Sequence, residues 1–91
     1  MKSLSNFING KSTPALSGAT SEVINPATGQ AYATAPVSTA ADVDLAMKAA
    51  SSAFEEWRDS TPSERQRALL KIADAFEARA DELVAIESEN C

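Results

Sequence analysis

The sequence of 91 residues contains no histidine and a single cysteine, Cys91. Without histidine the chain lacks the commonest general base and metal ligand, which excludes Ser-His-Asp and Cys-His catalytic arrangements within these residues. One cysteine cannot form an internal disulfide, so a reducing compartment, the cytoplasm, is the expected location. Most familiar forms of catalysis are therefore disfavoured before any motif is considered.

Basic residues and long apolar runs are also scarce. Eight Lys and Arg residues accompany 13 Asp and Glu residues, for a net charge of −5. A nucleic-acid-binding protein needs a basic surface to neutralise phosphates, and binding to an anionic membrane also needs positive charge. No run approaches the roughly 18 apolar residues of a membrane span. The opening residues Met1–Asn6 lack the apolar segment of a secretory signal. We therefore expect no nucleic-acid partner and no membrane partner.

Large apolar side chains are the third scarce class. Alanine supplies 18 residues, whereas Leu, Ile, Val and Phe together supply 17, about 19% of the chain. That share lies just below the roughly 20% at which a charged chain risks not folding by itself. The sequence therefore offers thin material for an independent core.

The chain divides near residue 38 into two regions of different composition. Residues 1–38 hold all three glycines and three of the four prolines, whereas residues 39–91 hold 12 of the 13 acids and no glycine. Turn-forming residues followed by a charged, alanine-rich stretch indicate strands first and helices second. The predicted fold class is an α+β fragment, with a β-hairpin region over residues 1–38 and a two-helix region over residues 39–91.

Two turns define the predicted hairpins. Asn9-Gly10 suits a type I′ turn, because both residues tolerate a positive φ. The segment Pro26–Gly29 suits a longer loop, with proline early and glycine in the left-handed position. This loop connects predicted strands over Ser21–Asn25 and Gln30–Ala35. A two-stranded hairpin is marginal by itself, so these strands need a neighbour.

The first helix is predicted to begin at Thr39, with Asp42 completing a capping box, and to end near Asp59-Ser60. The second is predicted to run without interruption from Pro62 to Cys91, after a cap at Thr61. A helix of about 28 residues is about 42 Å long, which exceeds the roughly 31 Å diameter of a compact domain of this length. Each helix carries an apolar stripe: Val43, Ala46, Met47, Ala50, Phe54 and Trp57 in the first, and Leu69, Ile72, Ala73, Phe76, Ala80, Leu83 and Val84 in the second.

Candidate chemical groups each have a structural interpretation. Cys91 follows acidic neighbours, which disfavours a thiolate, so we interpret it as an incidental thiol. Ser60, between two helices of a small acidic chain, resembles the attachment serine of an acyl carrier protein, but a capping turn is favoured. The remaining charged groups are interpreted as solvated or salt-bridged helix faces: Glu55-Glu56, Asp81-Glu82, and Arg65, Arg67 and Lys71 beside Glu64, Asp74 and Glu77. The glycines form no phosphate-binding loop. The residues themselves define no active site.

Several motifs together resemble the opening of an aldehyde dehydrogenase. The order is Phe7–Lys11, similar to a family hairpin, then Val23–Gln30, similar to its "N-P-A-T-G-E" turn. Helix segments similar to the family's follow at Asp42–Ala50 and at Pro62–Arg65, which matches a "P-x-x-R" helix start. The ending Glu87–Cys91 resembles the stretch before the family's Gly-Lys-Pro, and Asn90-Cys91 most resembles the 4-aminobutyraldehyde branch. The resemblance extends from residue 7 to residue 91.

This resemblance implies a structural role for the chain. It would form the N-terminal edge of an α/β aldehyde dehydrogenase fold, part of one larger cofactor-binding domain, and its partner would be the remainder of that chain. The parent enzyme would oxidise an aldehyde, such as an aminoaldehyde, to the carboxylic acid with NAD or NADP, as a homodimer or homotetramer. The family's nucleophilic cysteine, general base and nucleotide site lie outside residues 1–91. We therefore expect no catalytic or cofactor-binding residue here.

The resemblance also implies a structural Na⁺ or K⁺ site. In many members, main-chain oxygens before the "N-P" turn and an acid before Gly-Lys-Pro hold the cation. The corresponding positions are Val23, Ile24 and Asn90, where Asn90 replaces the usual acid. Neutral carbonyl oxygens are compatible with a hard monovalent cation.

Two alternative functions follow from the residues alone. The chain could be a stand-alone helical interaction module that pairs through its Leu69–Val84 stripe, or an acyl-carrier-like protein modified at Ser60. In the favoured interpretation, the low count of large apolar residues reflects a missing partner, on which the striped faces of both helices and the Val23-Ile24 strand pack.

Overall fold

All strands lie in the first part of the chain. The computed structural model describes residues Met1–Cys91. The five strands are β1 (Lys2–Ser3), β2 (Asn6–Ile8), β3 (Lys11–Thr13), β4 (Thr20–Asn25) and β5 (Gln30–Pro36). Strands β2 and β3 form a two-stranded sheet, and a three-stranded sheet has the order β1-β5-β4.

The hairpin β2–β3 turns on two residues with positive φ. Asn9 has a φ of 52° and Gly10 a φ of 76°, which is the combination that a type I′ turn needs. Ile8 and Lys11 pair directly across this turn. The predicted Asn-Gly hairpin is confirmed.

The hairpin β4–β5 closes through the predicted loop. The carbonyl of Asn25 accepts hydrogen bonds from the N–H groups of Thr28, at 3.2 Å, and Gly29, at 2.8 Å. Gly29 adopts a φ of 71°, a left-handed conformation that glycine adopts without steric cost. The Asn25 side chain also accepts a hydrogen bond from the N–H of Ala27 at 2.9 Å. The loop and its two strands are confirmed.

A β-bulge interrupts this hairpin. Val23 pairs with Ala33, whereas Ile24 pairs with Ala31, so Tyr32 is the extra residue of β5 at that point. A bulge leaves one residue unpaired and re-aims its side chain. The alternation of residues in the sequence did not predict it.

Strand β1 supplies the neighbour that the second hairpin needs. It pairs parallel with β5, with Lys2 opposite Ala33 and Ser3 opposite Thr34. The N–H of Leu4 extends this pairing by donating to the carbonyl of Thr34 at 2.8 Å. The prediction of two hairpins missed this strand, because two residues are too few to show any periodicity.

Three helices follow the sheet, and the first begins where it was predicted to begin. They are α1 (Ala40–Arg58), α2 (Pro62–Ala78) and α3 (Ala80–Asn90). The N–H of Thr39 donates to the side chain of Asp42 at 2.8 Å, and the Thr39 hydroxyl donates to the same oxygen at 3.2 Å. This arrangement confirms the predicted cap, since Asp42 is the third helical residue.

The start of α2 forms the full capping box. The N–H of Thr61 donates to the Glu64 carboxylate at 3.0 Å, and the N–H of Glu64 donates to the Thr61 hydroxyl at 3.2 Å. Pro62 occupies the first helical position, where its missing N–H has no cost. The predicted break at Asp59-Ser60 and restart at Pro62 are both confirmed.

The prediction of one uninterrupted helix from Pro62 to Cys91 is wrong. The helix breaks at Arg79, which has φ −115° and ψ 21°, although no proline or glycine stands there. The guanidinium of Arg79 donates to both carboxylate oxygens of Glu82, at 2.8 and 2.7 Å. The bend lets apolar side chains from α2 and α3 share one hollow of about 270 Å³, lined among others by Ile72, Phe76, Leu83 and Ile86. The run of residues without proline or glycine did not predict this break. The two-helix region therefore contains three helices.

The core of this fold is minimal. Three residues are buried, namely Ala15, Ala33 and Asp42. The radius of gyration is 16.7 Å and the molecule extends 48 × 34 × 16 Å, whereas a compact domain of this length has a radius of gyration of about 12 Å. The thin core expected from composition is thus observed directly.

No helix combines the length and the apolar character needed to cross a membrane.

Candidate functional site

The predicted cation-site residues lie where helix α3 meets the sheet. Val23 and Ile24 flank the bulge in β4, and Tyr32 stands opposite the peptide that joins them. The phenolic hydroxyl of Tyr32 donates to the amide oxygen of Asn90 at 2.9 Å. Helix α3 also contacts β4. The fold therefore joins Asn90 to Tyr32 of β5, the strand that pairs with Val23 and Ile24.

A second polar contact supports this meeting point. The ammonium group of Lys2 lies 3.1 Å from the carboxylate of Glu89, the residue before Asn90. The oxygens available here from Val23, Ile24 and Asn90 are neutral, and the amide oxygen of Asn90 has a second lone pair beyond the one that Tyr32 uses. Such donors suit a monovalent cation better than a transition metal. No group of three or more His, Cys, Asp or Glu side chains is placed to hold a metal ion.

Asp42 is a buried carboxylate with a larger role than capping. Its side chain also accepts a hydrogen bond from the N–H of Leu16 at 2.9 Å, so it ties the loop before β4 to α1. The N–H of Thr39 and then that of Leu16 hold the pKa of Asp42 below its usual value, against the opposing effect of burial. The spacing of Thr39 and Asp42 predicted the cap. No local pattern signals the contact with Leu16, which is 26 residues away in the sequence.

Ser60 occupies the turn between α1 and α2, and its groups are engaged there. Its hydroxyl donates to the carbonyl of Trp57 at 2.6 Å, and its carbonyl accepts a hydrogen bond from the Arg65 guanidinium. The side chain is half-buried. This geometry favours the capping-turn interpretation over an attachment site.

Cys91 is exposed, and its thiol donates to the carboxylate of Glu87 at 3.1 Å. That hydrogen bond and the negative charge of Glu87 raise the pKa of the Cys91 thiol. A raised pKa keeps the thiol protonated and weakens it as a nucleophile. The interpretation of Cys91 as an incidental thiol stays a prediction.

The predicted salt bridges around the basic residues of α2 are absent. None of the four ion pairs involves Arg65, Arg67 or Lys71, and the Arg65 guanidinium donates instead to the carbonyl of Ser60. The ion pairs lie elsewhere: Lys2–Glu89, Asp44–Lys48, Arg58–Asp59 and Arg79–Glu82. The prediction of a mixed, salt-bridged face on α2 is therefore wrong.

The apolar stripes of the helices are open surfaces. Phe54 and Trp57 line a shallow groove of about 900 Å³ between the end of α1 and the start of α2. Trp57 is 46% exposed and Leu69 is 64% exposed. Other large apolar side chains of the helices are also exposed: Val43, Met47, Ile72, Phe76, Leu83 and Val84. So much exposed apolar surface on a small chain is typical of a surface that packs on something else.

Comparison with known proteins gives a consistent result. The aldehyde dehydrogenase family model matches residues 13–91. The chain is 46% identical over 82 residues to the mitochondrial aldehyde dehydrogenase of Leishmania tarentolae, a match covering 90% of this chain and 16% of that protein. It is 39% identical over 87 residues to the 2-aminomuconic semialdehyde dehydrogenase of Danio rerio, covering 96% of this chain and 18% of that one.

A solved structure shows the same fold. It comes from Sinorhizobium meliloti and is described as a methylmalonate-semialdehyde dehydrogenase complexed with NAD. The two structures superpose with a TM-score of 0.92 and 31% sequence identity, over 98% of this chain and 18% of the other. The chain belongs to the aldehyde dehydrogenase family. It spans about one sixth of the length of these relatives, 16–18%. The resemblance in the ordered motifs and the α+β fold class are confirmed, and the 4-aminobutyraldehyde branch stays a prediction.

Proposed function

We propose that this chain is the N-terminal structural part of a longer aldehyde dehydrogenase and that its helices and strands support the cofactor-binding domain. The overlap with an NAD-complexed relative, at a TM-score of 0.92 over 98% of this chain but only 18% of the relative, carries the proposal. Residues 1–38 and 39–91 would then belong to one larger domain, whose other residues lie outside this chain.

The exposed apolar stripes support this role. Leu69 and Trp57 are large side chains that remain 64% and 46% exposed, and burying such a side chain contributes about 1.5–3 kcal/mol. The occupant of these faces would be the remainder of the same protein. Docking there would provide the core that the chain itself lacks.

The parent enzyme would oxidise an aldehyde, with an aminoaldehyde as the favoured substrate class, to the carboxylic acid. NAD or NADP would accept the hydride when bound. We propose no cofactor-binding role for residues 1–91, in which Gly10, Gly18 and Gly29 are far apart in the sequence and form no phosphate-binding loop. The parent would act as a homodimer or homotetramer in the cytoplasm.

A Na⁺ or K⁺ ion would bind the main-chain oxygens of Val23 and Ile24 and the side-chain oxygen of Asn90. The contact of α3 with β4 and the neutral donors support this site. Its function would be structural, because it would join the end of α3 to the sheet. We expect the melting temperature of this chain to be several degrees higher in potassium or sodium chloride than in choline chloride at equal ionic strength. Equal melting temperatures in all three salts would exclude the site.

A chimera tests the proposed function. Residues 1–91 replace the matching stretch of the Leishmania tarentolae enzyme, and NADH formation from an aldehyde is measured. We expect an active chimera, because the replaced stretch supplies support and no reacting group. The matched control carries Ala33→Leu, which places a larger side chain at the fully buried position of the sheet and should reduce the yield of folded enzyme.

Three outcomes would contradict the proposal. One is a chimera that folds but forms no NADH, and another is NADH formation by the 91-residue chain without a partner. A cooperative, high-temperature melt of the chain as a monomer would show that it needs no further core. The alternative of a helical module that pairs through Leu69–Val84 predicts instead that the chain forms a stable dimer in solution.

A further inference from the structure

Three segments of the chain converge on the middle of β5. Strand β4 pairs with Ala33, and Tyr32 forms the bulge beside it. On the other edge, Lys2 of β1 lies opposite Ala33. From above the sheet, α3 reaches Tyr32 through Asn90. Ala33 is fully buried, at 0% exposure, so this short stretch is the best-packed point of the molecule.

Helix α3 has little else to hold it in place. None of its residues is buried, and Leu83, Val84 and Ile86 are exposed. Its long-range hydrogen bonds to the sheet region are those from Lys2 to Glu89 and from Tyr32 to Asn90. They join positions 87 and 58 residues apart in the sequence. The last turn of α3 is therefore attached by polar contacts, while its apolar side chains stay accessible.

We propose that Tyr32–Asn90 and Lys2–Glu89 form a two-point polar latch that fixes the end of α3 on the sheet, with Tyr32 as its positioning residue. The bulge gives Tyr32 this role, because the extra residue is released from the ladder and its side chain is re-aimed. The hydrogen bond holds α3 without covering its apolar side chains, which leaves them open to the remainder of the protein. The latch needs no bound cation, although it shares the side-chain oxygen of Asn90 with the proposed Na⁺ or K⁺ site.

The two contacts contribute unequally. The Lys2 and Glu89 side chains are 56% and 33% exposed, and ion pairs in such surroundings contribute little. The hydroxyl of Tyr32 meets a neutral amide at 2.9 Å and depends less on salt. We therefore assign most of the stabilising effect of the latch to the hydrogen bond of Tyr32.

Amide hydrogen exchange of the full chain, resolved by NMR, tests the latch. Tyr32→Phe and Asn90→Ala should each speed exchange in the last turn of α3, at residues 87–91, by roughly two- to ten-fold. The double variant should exchange no faster than either single variant, because both substitutions remove the same hydrogen bond. Asn90→Asp keeps an acceptor oxygen and should retain the protection. Lys48→Ala, which removes an exposed ion pair of α1, is the matched control and should leave α3 unchanged.

Distinct results would overturn the latch. One is equal exchange in the last turn of α3 for the unchanged chain and for Tyr32→Phe. Another is exchange of that turn in the unchanged chain at the rate of an unstructured peptide. Loss of protection in Asn90→Asp as large as in Asn90→Ala would show that the acceptor oxygen is not the important group. Repeating the measurement in choline chloride separates the latch from the cation site, since the latch predicts faster exchange in Tyr32→Phe when no Na⁺ or K⁺ is present, and no difference there would overturn it.

Discussion

The strand region and the helical region of this chain are stabilised in different ways. Residues 2–36 pair in two sheets and contain both buried apolar residues, Ala15 and Ala33. Residues 40–90 form three helices, two of which begin with a capping box, and their single buried residue is Asp42, a charged one. The strands pair their backbone hydrogen-bonding groups with those of neighbouring strands. Each helix instead forms its backbone hydrogen bonds within itself and leaves its apolar stripe exposed.

This difference shows that local signals and tertiary packing can be separated in one small chain. Helix caps and turns need only neighbouring residues, and they form here without a core. The apolar stripes are exposed, and the proposed function places their partner outside these residues. The helical region is therefore specified locally but completed elsewhere.

The largest expected effect is at the packed point of the strand region. Ala33→Leu should lower the free energy of unfolding by about 1–3 kcal/mol, because the larger side chain overpacks a buried site. Ala85→Leu, at an exposed position of α3, is the control and should change it by less than about 0.5 kcal/mol. Urea denaturation followed by circular dichroism measures both. Equal effects would show that the two regions are packed alike.

Asp42 joins the two regions, and its replacement should have the next largest effect. In Asp42→Asn one of the two side-chain oxygens becomes an NH₂ group, which faces a backbone N–H of Thr39 or Leu16 instead of accepting from it. We expect a clearly lower urea midpoint than in Asp44→Asn, the exposed counterpart on the same helix.

Acid should remove the same stabilisation. Because the pKa of Asp42 is lowered in the folded chain, its contribution is complete above the unfolded value of about 3.9 and is lost as the pH falls through the folded value. The difference in unfolding free energy between the unchanged chain and Asp42→Asn should therefore shrink below about pH 4. A constant difference from pH 7 to pH 2 would contradict the assignment.

A cap within the helical region should matter less. Thr61→Ala removes the acceptor for the N–H of Glu64 and should cost about 1 kcal/mol of unfolding free energy. Ser63→Ala, two residues further along α2, makes the matched comparison because Ser63 makes no side-chain hydrogen bond to a cap group. If the two variants have the same free energy of unfolding, the capping box contributes nothing measurable to the stability of α2.

The smallest effect in this chain should come from its open apolar face. Leu69→Gln should change the unfolding free energy of the 91-residue chain by less than about 0.5 kcal/mol. In the chimera described above, the same change should destabilise the enzyme by about 1.5–3 kcal/mol, because Leu69 would be buried there. Thermal melts of both proteins make the comparison. A similar small effect in each would show that this face has no partner in the longer enzyme.

The sequence predicted the features that depend on neighbouring residues. Asn9-Gly10, the Pro26–Gly29 loop and the Thr61–Glu64 box lie where the pattern placed them, because their signals are a few residues long. The missed features depend on distant residues. Strand β1 needs β5, the break at Arg79 occurs without a proline or glycine, and the bonds of Asp42 to Leu16 and of Tyr32 to Asn90 have no local signature.

For the candidate site, the ordered motifs identified the family, and the structure joins Asn90 to Tyr32 of β5, whereas the cation site stays a prediction. No pattern in the sequence showed that Tyr32 would reach Asn90, because that contact depends on a bulge. The bulge changes which atom of β5 is presented to α3, and only the paired register reveals it.

That bulge also affects how the chain would tolerate a deletion. Strand β4 has six residues and β5 has seven, so loss of the codon for Tyr32 would leave two strands of equal length in a regular ladder. The sheet would keep every pair it has now, whereas Asn90 would lose its partner from a position 58 residues away. Such a deletion would thus keep the pairing of the hairpin but weaken the attachment of α3 at the far end of the chain. The presence or absence of a residue at this one position would determine how firmly α3 is attached.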